Sequence, residues 1–163
     1  MRTTRRFLLV AGLMLSSVAA AATPDFVADP AVREAAGKSA ADAVALAQQF
    51  QVKLDGSEAS LDDVERILDH LHTTYALATH RPTDAELMPV AQTFGAYVGE
   101  VYRRNHGGTW GTVTLNGNPY PGLRTEAGVN VWFAGRVLNR ITDGPDNDIA
   151  LYYRKLAAGP GAH

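Results

Sequence analysis

The chain has 163 residues, 46% of them hydrophobic, with 15 lysines and arginines against 17 aspartates and glutamates, and no cysteine. That length fits one domain of ordinary size. The lack of cysteine excludes thiol nucleophiles, thiolate metal sites, disulfides and a lipoprotein anchor, and the mildly acidic balance argues against a nucleic-acid surface, which needs a basic stripe.

Residues 1–22 read as a secretory signal peptide. Arg2, Arg5 and Arg6 form a basic head, Phe7 to Val18 is an uncharged apolar run, and Ala19 to Ala22 offers small residues for cleavage near Ala20 or Ala22. The apolar run is shorter than the ~20 residues of a membrane span. The expectation is export to a bacterial periplasm or secretion by the general pathway, with no span left after cleavage. Loss of the three leader arginines leaves 12 basic against 17 acidic residues, a formal charge of −5.

Residues 23–49 are expected to form an alanine-rich helical leader. Asp29-Pro30 has the residues of a helix start, Asp as cap and Pro in the first turn, while Gly37 and Ser39 are candidate breaks. Residues 50–158 then read as a single α+β domain, and 159–163 as a fraying tail. Within the domain, Ser60 and Asp63 have the spacing of a capping box. Leu61, Val64, Ile67, Leu68, Leu71 and Tyr75 follow at helical intervals. Thr83 and Glu86 make a second box before a helix running to Arg104, in which Ala91, Gly95 and Gly99 form a stripe of small residues four apart.

From Thr109 the period changes to alternation, with Asn116-Gly117 as a hairpin turn dipeptide and Pro119 and Pro121 arguing for a longer loop. Val129 to Phe133 reads as the strongest strand, Gly135 to Thr142 as a short helix, and Asp146 or Asn147 as the cap of a last helix. The order predicts an α+β fold: N-terminal helices, a small antiparallel sheet made of a hairpin plus one strand, and a C-terminal helix.

Chemistry concentrates in Phe94 to Trp110. On a helix, Tyr97, Glu100 and Arg104 share one face, Arg103 is a turn from Glu100, and Trp110 opens the next strand. These residues form either a polar-aromatic pocket, with Glu100 as acceptor and an arginine as anion clamp, or an intrahelical ion pair beside core aromatics. Arg136 and Arg140, one turn apart, are candidates to join Arg103 or Arg104 in a basic cleft for a carboxylate or phosphate. Glu65, Asp69 and His72 share a helix face, but no histidine motif and no partner ligands accompany them, so no metal and no cofactor are expected. The hydrolase and phosphate-loop signatures are missing as well.

Three segments, LDGSEASLDDVERIL (Leu54–Leu68), FGAYVGEVYRRNHGGTW (Phe94–Trp110) and VLNRITDG (Val137–Gly144), together resemble a family of small bacterial domains of unknown function. The resemblance covers roughly residues 50 to 156 and is most specific in the middle segment. It implies one domain and points to Tyr97, Gly99, Glu100, Arg104, Gly108 and Trp110 as residues to follow. The functional expectation is a non-enzymatic periplasmic binding or interaction domain, of the inhibitor or immunity kind, with a protein partner. Its contacts would use Tyr97, Glu100, Arg103, Arg104, Trp110, Arg136 and Arg140. The alternative is a hydrolase of cell-wall or other periplasmic substrates with Glu100 as general acid/base.

Overall fold

The computed structural model describes residues 25–159. The expected signal peptide and residues 160–163 lie outside the described residues. A short strand β1 (Phe26–Ala28) leads into helix α1 (Pro30–Ala47). The Asp29 carboxylate accepts the Ala31 N–H at 2.8 Å and Pro30 sits in the first turn, as the dipeptide predicts. The helix runs through Gly37 and Ser39 without a break. Its inner face is alanine: Ala36, Ala40, Ala43 and Ala47 are all buried against the core. The segment expected as a leader is therefore built into the domain, since β1 also pairs with the sheet.

Helix α2 (Ser60–Leu77) buries Leu61, Val64, Ile67 and Leu68, the stripe its spacing predicts. Its expected cap is corrected. The cap position is Ala59, and Ser60 lies inside the helix, where its hydroxyl donates to the Ser57 carbonyl at 2.6 Å and lies 2.6 Å from the Tyr97 hydroxyl. At helix α3 (Asp84–His106) the second box does form, with the Thr83 N–H bonded to Glu86 at 2.8 Å and the Glu86 N–H to Thr83. Residues 94–102 of α3 are all buried, so this helix is the axis of the molecule.

The sheet is antiparallel, in the order β1-β2-β3-β4. Strands β2 (Thr109–Leu115) and β3 (Asn118–Arg124) are joined by the two-residue turn Asn116-Gly117, both residues at positive φ (51° and 79°). No longer loop is needed for Pro119 and Pro121. The short β4 (Asn130–Val131) pairs only with Leu123 and Arg124, so both prolines lie where no strand flanks β3 on that side.

The strand expected over Val129 to Phe133 shrinks to β4, because Phe133 starts helix α4 (Phe133–Asp143). Phe133, Val137, Leu138 and Ile141 are buried along that helix. Their helical spacing overrides the local alternation. Asp148, rather than Asp146 or Asn147, caps helix α5 (Ile149–Ala158), accepting the Leu151 N–H at 2.6 Å.

Two glycines set how closely α3 can be approached. A Cβ on Gly95 would stand 2.6 Å from the Ala134 nitrogen of α4, and one on Gly99 would stand 2.5 Å from the Trp110 ring. Gly37, on α1, has nothing within 4 Å of that position. Gly95→Ala and Gly99→Ala should each destabilise the protein by about 1–3 kcal/mol through overpacking. Gly37→Ala should stabilise it by up to ~1 kcal/mol through helix propensity. Urea unfolding of the three variants reads all three signs.

Candidate functional site

The structure gathers the residues named from the central segment around one carboxylate. Glu100, on α3, is 5% exposed. Arg103 grips it with a fork, Nε to Oε1 at 2.9 Å and Nη2 to Oε2 at 3.1 Å. The Trp110 indole N–H reaches across from β2 to donate to the same Oε1 at 2.7 Å. Arg104 stands 3.6 Å from Oε2. Burial alone pushes the Glu100 carboxyl up, but the bonds from Arg103 and Trp110 and the two guanidinium charges outweigh it and hold the group below its ordinary range.

Tyr97 lies one turn earlier on the same helix. Its hydroxyl accepts the Gly56 N–H at 2.8 Å and meets Ser60, which ties the loop before α2 to α3. Tyr97, Glu100 and Arg104 also line a hollow of about 290 Å³ with Gly37 and Asp55. Tyr97 and Trp110 are themselves buried, at 3% and 5% exposure. The five residues come together; Tyr97, Glu100 and Trp110 are buried, Arg103 is partly exposed and Arg104 is exposed.

Arg136 and Arg140 do not join them. Arg140 is 2% exposed and enters α2, where it bonds Glu65 and holds Asp69 at 2.8 Å; its Nη1 finds no partner among the described residues. Glu65 also accepts the Ile149 N–H at 3.0 Å, so it holds α5 as well. This accounts for two of the three residues once weighed for a metal. The third, His72, donates through Nδ1 to the Ile141 carbonyl at 2.8 Å. No group of three or more potential metal ligands occurs among the described residues.

One cluster has no local signal in the sequence. Glu58 accepts from the Tyr153 hydroxyl at 2.6 Å and lies 2.6 Å from His106 Nε2. The Tyr153 bond first, then the His106 bond, holds the Glu58 carboxyl low, while burial pushes the Tyr153 phenol up. The three residues are 48 and 47 positions apart in the chain, and the packing of α5 and of the loop before α2 against the end of α3 brings them together.

A second group of aromatics, half-buried, lies elsewhere. Tyr120 of β3 and Trp132, just before α4, stack with centroids 4.0 Å apart at 24°. Beside them the Arg136 guanidinium lies 4.2 Å from the Tyr152 ring centroid. Trp132 is shared by two hollows. One, of about 190 Å³, lies among Val32, Ala35, Gly95, Trp110 and Phe133. The other, of about 240 Å³, is lined by Leu115, Val131, Arg136, Asn139 and Tyr152. Sequence reading found Arg136 but missed Tyr120, Trp132 and Tyr152, which come from three elements. No family model, curated protein or solved structure matches the chain.

Glu100→Gln should unfold more easily than the parent at neutral pH, by about 1.5–3 kcal/mol, the worth of hydrogen bonds to a charged group. Because the folded-state pKa is lowered, the parent's advantage is fully present above the ordinary glutamate value of 4.5 and is lost as pH falls through the folded value. Urea midpoints of both proteins from pH 7 to pH 3 should converge on the acid side.

Proposed function

We propose that the protein is an exported, non-enzymatic interaction domain of the periplasm, and that its contact surface is the ridge of Tyr120, Trp132, Tyr152 and Arg136. The carrying observation is that ridge itself: a stacked Tyr–Trp pair and an Arg–Tyr pair, set between two hollows. Tryptophan, tyrosine and arginine are the residues that dominate binding energy at protein interfaces. Export is supported by the basic, apolar and small-residue order of residues 1–22.

The hydrolase alternative has weaker support. A general acid needs a carboxyl raised toward the working pH, and Glu100 is held low by a fork and an indole.

The full chain, expressed with its own leader, should be recovered from the periplasm in a form cut near Ala20 or Ala22. That form should capture one protein at equal stoichiometry. Trp132→Ala should weaken the capture by about 30-fold, as for an interface residue worth ~2 kcal/mol, while melting within a few degrees of the parent. An uncut cytoplasmic chain, or capture indifferent to Trp132→Ala, would contradict the proposal.

A further inference from the structure

Arg136 and Arg140 are one turn apart on α4, yet only one of them is used by the fold. Arg140 is buried between Glu65 and Asp69. Arg136 is exposed, and no carboxylate lies within 4.0 Å of its guanidinium among the described residues. What holds Arg136 is the face of Tyr152, 4.2 Å away. Stacking of this kind orients the planar group while leaving its edge N–H donors free for a bidentate acceptor.

The hollow beside it is suited to a particular acceptor. Its floor is apolar, made by Leu115, Val131, Trp132 and Tyr152, and no aspartate or glutamate lines it. Asn139 lies three residues beyond Arg136, on the same helix face, and its exposed amide makes no side-chain hydrogen bond among the described residues. Asn130, also in the lining, is already engaged: it accepts from Arg124 at 2.8 Å and donates to the Asp25 carbonyl at 3.3 Å. The Arg136 guanidinium is thus the charged group on offer, with the Asn139 amide, the Trp132 indole N–H and the Tyr152 hydroxyl as the neutral polar ones. The volume of about 240 Å³ falls below the ~300–1,000 Å³ of pockets for drug-sized ligands. It has room for a group the size of one residue.

We propose that this hollow seats the C-terminal residue of a peptide chain, with an apolar side chain against Leu115, Val131 and Trp132 and the free carboxylate forked by Arg136. This rests on the interaction reading and gives it a ligand chemistry. Charge complementarity selects the carboxylate, because the guanidinium is unpaired and nothing acidic lines the hollow. The apolar floor selects a chain end over an aspartate or glutamate side chain, which brings only one or two methylene groups with its charge.

The test is a titration of the full chain with acetyl-Ala-Ala-Leu as the free acid, with its C-terminal carboxamide, and with acetyl-leucine. Binding is followed by the Trp132 indole N–H resonance, with Trp110 as the internal reference. The free acid should saturate and move Trp132 but not Trp110. The carboxamide should bind about tenfold or more weakly, and Arg136→Gln should bring the free acid down to the same level. Equal binding of acid and carboxamide, an indifferent Arg136→Gln, or no binding of the tripeptide would overturn the proposal. Acetyl-leucine binding as tightly as the tripeptide would overturn the chain-end assignment in favour of a small free acid. A protein that captures a periplasmic partner yet ignores all three ligands would overturn the subsite and leave the interaction reading standing.

Discussion

The carboxylate of Glu100 is the fixed point of this molecule. Removing a carboxylate from water costs several kcal/mol unless donors replace the water. Here the donors are the Arg103 fork and the Trp110 indole. The indole can arrive only because Gly99 has no side chain; a Cβ there would meet the ring at 2.5 Å. The buried charge and the small residue therefore require each other. Once Trp110 is held, the Asp29 N–H bonds its carbonyl at 3.2 Å, and α1 starts at that point. From there α1 lies along α3, with an alanine face shallow enough for close contact.

The same economy of polar groups divides the molecule into an inner and an outer set. Inside, Glu100 answers Arg103 and Trp110, Glu65 and Asp69 answer Arg140, and Tyr97 answers Gly56 and Ser60. The Arg140 pairs join α4 to α2 and the Tyr97 bond to Gly56 joins α3 to the loop before α2, whereas Arg103 grips Glu100 within α3 itself. Nearer the surface, the half-buried Tyr120–Trp132 stack and the pair of exposed Arg136 with half-buried Tyr152 stand apart from these networks. The two α4 arginines show how neighbours rather than helix position decide the role: Arg140 meets the acids of α2, and Arg136 meets a ring of α5.

Much of the fold was legible from local chemistry. Asp29-Pro30 and Thr83 with Glu86 each carry their own signal and form as read, and Asn116-Gly117 makes the tight turn of its dipeptide where Pro119 and Pro121 argued for a longer loop. The α+β class follows from the order of periods. Local chemistry misled where a tertiary contact competed for the same residue. Ser60 has a cap's chemistry but is drawn to Tyr97, and Phe133 ends an alternating run yet belongs to the apolar face of α4. The inner face of α1 is made of alanines rather than large apolar residues, so little in its sequence marks it as part of the core.

The site was legible in its members more than in its meaning. Tyr97, Glu100, Arg103, Arg104 and Trp110 do converge, as the helical spacing predicts, with the Glu100 carboxylate and the Trp110 indole buried against each other and Arg104 left exposed. The outer ridge was hidden because Tyr120, Trp132 and Tyr152 share no period; the hairpin, the start of α4 and the packing of α5 bring them side by side.

Hydrogen exchange of the two tryptophan indole N–H groups tests the division most directly. If Glu100 is the internal anchor, the Trp110 indole exchanges only through global unfolding, with the same free energy that urea reports, while the half-buried Trp132 indole, which donates to no group among the described residues, exchanges faster. A Trp110 indole that exchanges through local opening, well below the global free energy, would contradict the account.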